Sequence, residues 1–165
     1  MDKETGQVTL DDFVFGHDCG RPLNIRAVEG QIEGSVLLGL GFTCFEECVY
    51  DKDGRHLNPS FRDYRFPTAL DMPNIRTFIC SEEDAEGPMG AKEAGEGSTA
   101  PVGSAIGNAI NYATGLVIKE LPITPEKLWR ALREHEQNPE KVSFGGEGLA
   151  EKFASMPPLP DRYDV

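Results

Sequence analysis

A long predicted helix, from residue 27 to about residue 48, contains more glycines than a helix normally tolerates. Its apolar residues recur at helical spacing and lie on or near one face: Ile32, Val36, Leu40 and Phe45. Four glycines fall within the same stretch: Gly30, Gly34, Gly39 and Gly41. Each glycine costs about 1 kcal/mol relative to alanine in a helix interior. We therefore predict that a neighbouring backbone or a ligand approaches this helix very closely.

The charge balance excludes two classes of partner. The 165 residues include 16 Lys and Arg against 28 Asp and Glu, so the formal net charge is −12. Since the chain has no basic cluster, we expect it to bind neither nucleic acid nor an anionic membrane surface. No window approaches the roughly 20 apolar residues of a membrane span, and the first residues do not resemble a signal peptide. We expect a cytoplasmic protein.

The cysteine pattern predicts neither a disulfide framework nor a zinc site. The cysteines are Cys19, Cys44, Cys48 and Cys80. Cys44 and Cys48 are predicted to share a face of the long helix, but no matching pair of His or Cys stands nearby to complete a zinc site. We expect reduced and mostly buried thiols, and no metal ion held directly by side chains.

Turn, cap and alternation signals predict a mixed α/β or α+β fold. We predict strands at residues 8–16 and 75–80, a hairpin turn at residues 51–54, and helices at residues 99–115 and 124–138. Thr124 is the predicted cap of the last helix, with Ile123 and Leu128 placed to form a hydrophobic staple. Because so few short strands give little sheet, we predict that a partner chain completes the fold.

An acidic, glycine-rich loop at residues 82–97 holds the candidate chemistry. Such a loop exposes backbone N–H groups, and the helix beginning near Ser98 directs its positive end to the same place, so an anion or phosphate could bind. Glu96 lies between two glycines, and its carboxylate could reach a cavity as a general base. On composition alone, a solvated loop is the commoner interpretation. Likewise, Gln31 is more often a surface amide, and His17 a hydrogen-bonded loop residue.

Four motifs in the same order resemble those of the xanthine oxidase/aldehyde oxidase family, the molybdenum hydroxylases. Residues 2–6 and 17–24 (DKETG and HDCGRPLN) resemble the family's D-x-x-TG and HD-x-G-x-x-x-N stretch. Residues 29–41 (EGQIEGSVLLGLG) resemble its GQ-x-x-G and GLG helix, residues 90–96 (GAKEAGE) its GxKGxGE loop, and residues 121–126 (LPITPE) its P-x-T-P-E helix start. The resemblance implies the C-terminal part of the large, molybdopterin-binding subunit.

The resemblance implies roles for five residues. The glutamate that closes the GxKGxGE motif is the family's active-site base, so Glu96 takes that role. The glutamine of the GQ motif approaches the molybdenum cofactor, which points to Gln31. The residue two before the base touches the cofactor through its backbone, which points to Ala94, and the neighbouring Gly30 and Gly95 complete the predicted contacts. The implied cofactor is molybdenum–molybdopterin, as the cytosine dinucleotide, with [2Fe-2S] clusters and FAD on partner subunits.

The activity implied for family members is hydroxylation of an aromatic, heterocyclic or aldehyde substrate. The loop variant here, together with residues 61–69 (FRDYRFPTA), is most similar to the 4-hydroxybenzoyl-CoA reductase branch, which removes a phenolic hydroxyl instead.

Because the family's subunit is several times longer, we predict the small subunit of a split enzyme. Residues 1–136 would form part of the cofactor-binding domain, and residues 137–165 would dock on a partner subunit. The predicted partners are the rest of the molybdopterin-binding subunit, an iron–sulfur subunit and an FAD subunit. Two alternatives stay open: a non-catalytic assembly or cofactor-handling module, and a stand-alone nucleotide-binding protein.

Overall fold

The computed structural model describes residues 1–145 and residue 155, in which helices and strands alternate. The elements are β1 (Asp12–Asp18), α1 (Ile25–Cys44), β2 (Asn74–Cys80), α2 (Ala100–Thr114), β3 (Val117–Ile118), α3 (Pro125–Gln137) and β4 (Ser143–Phe144). Two single turns of 3-10 helix, Pro88–Gly90 and Glu96–Ser98, lie between β2 and α2. The mixed α/β composition is as predicted. Over the described residues, no helix combines the length and apolarity that crossing a membrane requires.

The first sheet consists of β1 and β2, which pair in parallel along their whole length. One face of the pair packs on the helices through Phe15, which is 8% exposed. The opposite face is open, since Val14 is 54% and Phe78 60% exposed. Parallel strands are normally covered on both faces, so this sheet lacks a layer within the described part of the chain.

The bounds of β1 differ from the predicted strand. The strand covers Asp12–Asp18 rather than residues 8–16. The partner strand β2 begins at Asn74, whose N–H donates to the Asp11 carbonyl at 2.9 Å. Residues 8–11 lie outside the strand, whereas His17, predicted in a loop, lies within it.

A close helix contact joins α1 to α2 at Gly39. A β-carbon on Gly39 would lie 2.5 Å from the β-carbon of Val102, too close for a side chain to fit. The prediction of a very close neighbour is thus confirmed for this part of α1. The contact lies in a core of buried apolar side chains from β1, the three long helices, the loops and β4: Phe15, Cys19, Val28, Ile32, Val36, Leu40, Val102, Ile106, Ile110, Leu116, Ile123, Leu128, Ala131, Leu132 and Phe144.

The end of α1 at Cys44 is earlier than predicted. Beyond it, the Glu46 side chain folds back over Gly41, and its carboxylate accepts a hydrogen bond of 2.7 Å from the Tyr64 hydroxyl. This bond raises the pKa of Tyr64 to about 12. Cys48 lies outside the helix, so the prediction that Cys44 and Cys48 share a helix face is wrong.

All four cysteines are free. Cys19 is buried, and burial raises the pKa of the half-buried Cys44 to about 11. Cys48 and Cys80 are exposed. The expectation of mostly buried thiols is therefore wrong for two of the four.

Local signals place α3 as predicted. The Thr124 hydroxyl accepts a hydrogen bond of 3.2 Å from the Lys127 N–H, which caps the helix. Ile123 and Leu128 are 4% and 0% exposed, consistent with the predicted staple. The preceding helix, α2, ends at Thr114 and is capped by Gly115, whose φ of +79° only glycine adopts readily.

Both ends of the described chain pack onto this scaffold. A β-carbon on Gly6 would lie 2.9 Å from the backbone nitrogen of Trp129 in α3, so the N-terminal segment lies directly on that helix. At the other end, β4 pairs in parallel with β3, and Phe144 is 8% exposed in the core. The rest of the predicted tail, residues 146–154 and 156–165, lies outside the described residues.

Candidate cofactor site

Two segments that are distant in sequence meet where β1 ends. Gly20 and Ala91 form an antiparallel bridge, and the Lys92 N–H donates to the Cys19 carbonyl at 2.8 Å. Gly20 has φ +62°, and a β-carbon on it would lie 2.8 Å from the backbone nitrogen of Lys92. The position therefore requires glycine. This bridge brings the HDCGRPLN and GAKEAGE motifs into contact.

An ion pair joins the same two segments. The Lys92 ammonium lies 2.6 Å from Asp18 Oδ2, and Asp18 Oδ1 accepts a hydrogen bond of 2.9 Å from the Gly20 N–H. The hydrogen bond from Lys92 is the main cause that lowers the pKa of Asp18, and the same bond raises the pKa of Lys92. Asp18 and Lys92 thus hold the glycine-rich loop to β1 as a charged pair.

A cavity of about 210 Å³ lies between this loop and the first turns of α1. Gln31 and Ala94, two of the predicted cofactor contacts, both line it. Arg21 and Lys92 line it as well, with the Lys92 ammonium paired to Asp18. The structure therefore brings together one residue of the GQ motif and one of the loop motif, 63 positions apart.

The N-terminus of α1 forms part of the cavity wall. Asn24 lines the cavity and caps the helix, since its side-chain oxygen accepts a hydrogen bond of 3.1 Å from the Ala27 N–H. Helix N-termini carry a partial positive charge and favour anions. The sequence predicts this contribution from the helix that begins near Ser98, whereas the helix terminus at this cavity belongs to α1.

Gly30 stands beside Gln31 on an open part of α1. A β-carbon on Gly30 would meet no atom of the described chain within 4 Å. The same is true of Gly34, one turn further along. The surface above these two glycines is therefore accessible to a close-fitting ligand or to another chain.

Glu96 is the exposed first residue of a single 3-10 turn. Both backbone polar groups of the neighbouring Gly95 are hydrogen-bonded. The Gly95 carbonyl accepts a hydrogen bond of 3.1 Å from the Ser35 hydroxyl, and the Gly95 N–H donates to the Glu93 carboxylate at 2.8 Å. The carboxylate of Glu96 is thus carried on an anchored backbone. Neither Glu96 nor Gly95 and Gly30 belong to the lining of the described cavity.

Sequence reasoning missed three features of this site. Nothing in the sequence distinguishes Lys92 from an ordinary surface lysine, although it pairs with Asp18 at the cavity. Asn24 received no role as a helix cap, and its position just before the helix was the signal that could have revealed it. The contribution of Arg21 depends on the bridge between two distant loops, for which the sequence carries no local signal.

Comparison with known proteins is consistent with this geometry. A family model described as "Molybdopterin cofactor-binding domain" matches residues 1–73. The putative xanthine dehydrogenase molybdenum-binding subunit XdhA of Escherichia coli is 37% identical over 124 residues, which cover 74% of this chain and 16% of that protein. The 6-hydroxypseudooxynicotine dehydrogenase complex subunit gamma of Paenarthrobacter nicotinovorans is 35% identical, over 78% of this chain and 17% of that protein.

A solved structure matches as well. The quinoline 2-oxidoreductase of Pseudomonas putida superposes with a TM-score of 0.72 and 35% identity, over 76% of this chain and 16% of the matched chain. The chain thus spans about one sixth of the length of these relatives. Sequence and fold together identify it as a relative of the molybdopterin-binding subunits of the xanthine oxidase family, corresponding to one part of such a subunit.

Proposed function

We propose that this chain forms one wall of the molybdopterin site in a molybdenum hydroxylase and supplies the catalytic base, Glu96. The observation that carries the proposal is the shared cavity of Gln31 and Ala94. The motif resemblance assigned both residues to the cofactor separately, and the fold brings them to one place through the bridge between Gly20 and Ala91.

The residues at the cavity fit a phosphate-bearing cofactor. Arg21, which lines the cavity, and the N-terminus of α1 favour an anion there. The Gln31 amide can donate a hydrogen bond to the cofactor, and the open surface above Gly30 admits a close contact. The cavity of about 210 Å³ is smaller than the roughly 300–1,000 Å³ of a complete ligand pocket. This chain therefore holds part of the cofactor, proposed as the cytosine dinucleotide form.

When bound, the molybdenum cofactor supplies the redox chemistry of the reaction. Glu96 contributes proton transfer, because its exposed carboxylate can accept a proton on Oε1 or Oε2 as the substrate reacts. The hydrogen bonds at Gly95 hold the backbone that carries this carboxylate. The proposed reaction is hydroxylation of an aromatic, heterocyclic or aldehyde substrate, or reductive dehydroxylation of a 4-hydroxybenzoyl-CoA-type substrate.

The open sheet supports a multi-chain enzyme. Val14 and Phe78 leave the outer face of β1 and β2 exposed, and one relative is named as the gamma subunit of a dehydrogenase complex. The proposed partners are the rest of the molybdopterin-binding subunit, an iron–sulfur subunit and an FAD subunit. The free cysteines support a reducing, cytoplasmic location.

The test is substitution of Glu96 in the purified native complex. Glu96→Gln keeps the size of the side chain but removes the base, so we expect turnover to fall by about 10²–10⁴-fold with molybdenum content unchanged. The matched control is Glu86→Gln, an exposed glutamate of the same loop, which should keep normal turnover. Near-normal turnover of the Glu96→Gln complex would refute the catalytic role.

A non-catalytic role in assembly or cofactor handling is the second candidate. It is favoured by the position of Glu96, which is exposed and outside the lining of the described cavity. This candidate predicts that Glu96→Gln leaves turnover unchanged, whereas Gln31→Ala lowers the molybdenum content of the complex.

A further inference from the structure

His17 stands on the inner side of β1, opposite the loop that carries Glu96. It is half-buried, and its ring lies 6.4 Å from the ring of Phe15. Its Nε2 lies 3.0 Å from the carbonyl oxygen of Glu93, and its Nδ1 lies 3.4 Å from the hydroxyl of Ser98. One imidazole thus contacts the loop at two points, three residues before Glu96 and two residues after it.

The two contacts are compatible with one neutral tautomer. A carbonyl oxygen only accepts hydrogen bonds, so the proton of the ring must be on Nε2, which donates to Glu93. Nδ1 is then an acceptor, and the Ser98 hydroxyl donates to it. Ser98 is 0% exposed, and leaving a buried hydroxyl without a partner costs about 1–3 kcal/mol. The imidazole of His17 therefore stabilises the loop at both of its ends.

We propose that His17 is a positioning residue that fixes the Glu93–Ser98 loop and thereby sets the place of the Glu96 carboxylate. This inference rests on the proposed role of Glu96 as base. The loop itself has no regular structure beyond one 3-10 turn, whereas His17 is part of a paired strand. A side chain on a strand is positioned more precisely than one on a loop. The hydrogen bonds of the imidazole therefore restrict the movement of the loop relative to β1.

The hydroxyl of Ser35 provides an independent third anchor, at the Gly95 carbonyl. With His17 removed, the loop keeps this anchor and the Glu93 carboxylate's bond to the Gly95 N–H. We therefore expect the loop to loosen rather than to unfold. A displacement of about 1 Å in a reacting group can cost about 10²-fold in rate.

Four substitutions separate the hydrogen bonds from the packing. His17→Phe keeps a ring beside Phe15 and removes both bonds. His17→Gln keeps a donor near the position of Nε2, and His17→Asn keeps an acceptor near the position of Nδ1. Ser98→Ala removes the second contact from the other side and leaves His17 intact.

The experiment uses the purified native complex and compares single and double variants. We expect His17→Phe to lower kcat by about 10- to 100-fold with KM within about twofold, and His17→Gln to recover part of the loss. In the Glu96→Gln background, His17→Phe should have no further effect on kcat, because the residue acts through Glu96. Hydrogen–deuterium exchange of the peptide covering residues 93–99 should become faster in His17→Phe, at unchanged molybdenum content.

The outcomes are distinguishable. If Glu96→Gln is impaired but His17→Phe keeps normal kcat, or if the two losses multiply in the double variant, the positioning role is wrong and the catalytic base stands. If Glu96→Gln is fully active, the base assignment fails and the positioning role with it, whatever the exchange data show. Should His17→Phe not assemble, Ser98→Ala and His17→Gln decide: unchanged kcat and unchanged exchange in both would overturn the proposal.

Discussion

The glycines in the two halves of α1 differ in their surroundings. In the C-terminal half, Gly39 and Gly41 are filled by the chain itself, with Val102 of α2 against the first and the Glu46 side chain over the second. In the N-terminal half, Gly30 and Gly34 face open space. One sequence signal, glycine in a helix, therefore has an internal cause at one end. At the other end it has no cause within the described residues, and that end lies beside Gln31 and the cavity.

Within this comparison, the largest effect on stability should come from adding a side chain at Gly39, where α1 contacts α2. Gly39→Ala places a β-carbon against Val102, and overpacking of this kind costs about 1–3 kcal/mol. We expect a lower midpoint of thermal denaturation of the complex and faster hydrogen exchange in α1 and α2. Val102→Ala should relieve the clash in part. Equal midpoints for Gly39→Ala and the wild type would show that the two helices are not in close contact.

In the N-terminal half of α1, replacing glycine by alanine should change stability in the opposite direction. In a preparation freed of cofactor, Gly34→Ala and Gly30→Ala should each be neutral or stabilise the helix by up to about 1 kcal/mol. Only Gly30→Ala, beside Gln31, should lower the molybdenum content after reconstitution. Thermal denaturation and metal analysis check the two parts. Equal metal content in the two variants would remove Gly30 from the cofactor site.

The smallest effect should come from the ion pair of Asp18 and Lys92. The lowered pKa of Asp18 means that its stabilisation is present above the unfolded value of about 3.9 and is lost as pH falls through the folded pKa. The raised pKa of Lys92 means that its part is present below about 10.4 and is lost as pH rises through the folded pKa. Both groups are partly exposed, so the stabilisation is small.

Asp18→Asn tests this pH dependence. We expect its denaturation midpoint to lie slightly below that of the wild type at neutral pH, with a difference that shrinks in strong acid and in strong base. The exposed Asp53→Asn serves as control, with no such pattern. A difference that is constant across the pH range would mean that the charge of Asp18 contributes nothing.

The features that sequence predicted well are those with local causes. The cap at Thr124 and the staple of Ile123 and Leu128 specify α3 through neighbouring residues alone, and the turn before Gly54 follows from its Asp-Gly pair, with a hydrogen bond of 3.0 Å from the Gly54 N–H to the Asp51 carbonyl. Strand and helix bounds were less accurate. Just beyond the end of α1, the Glu46 carboxylate accepts a hydrogen bond from the Tyr64 hydroxyl, 18 positions away, and no local pattern reveals this contact.

Of the five residues to which the motif resemblance assigns roles, the structure brings Gln31 and Ala94 to one cavity, and the roles of all five stay predictions. Motif resemblance selected Gln31, Ala94 and Glu96, since each lies in a recognisable string. The pairing of Asp18 with Lys92 and the two contacts of His17 join segments more than 70 positions apart. Only the folded chain brings such groups together, so their roles could not be inferred from spacing.

The most direct test of the central claim is the molybdenum content of the native assembly that contains this chain. The account predicts molybdenum in stoichiometric amount with the chain, and a strong reduction in the Gln31→Ala variant while the subunits remain assembled. A well-folded native preparation of this chain that contains no molybdenum, or a Gln31→Ala complex with full molybdenum content, would contradict it.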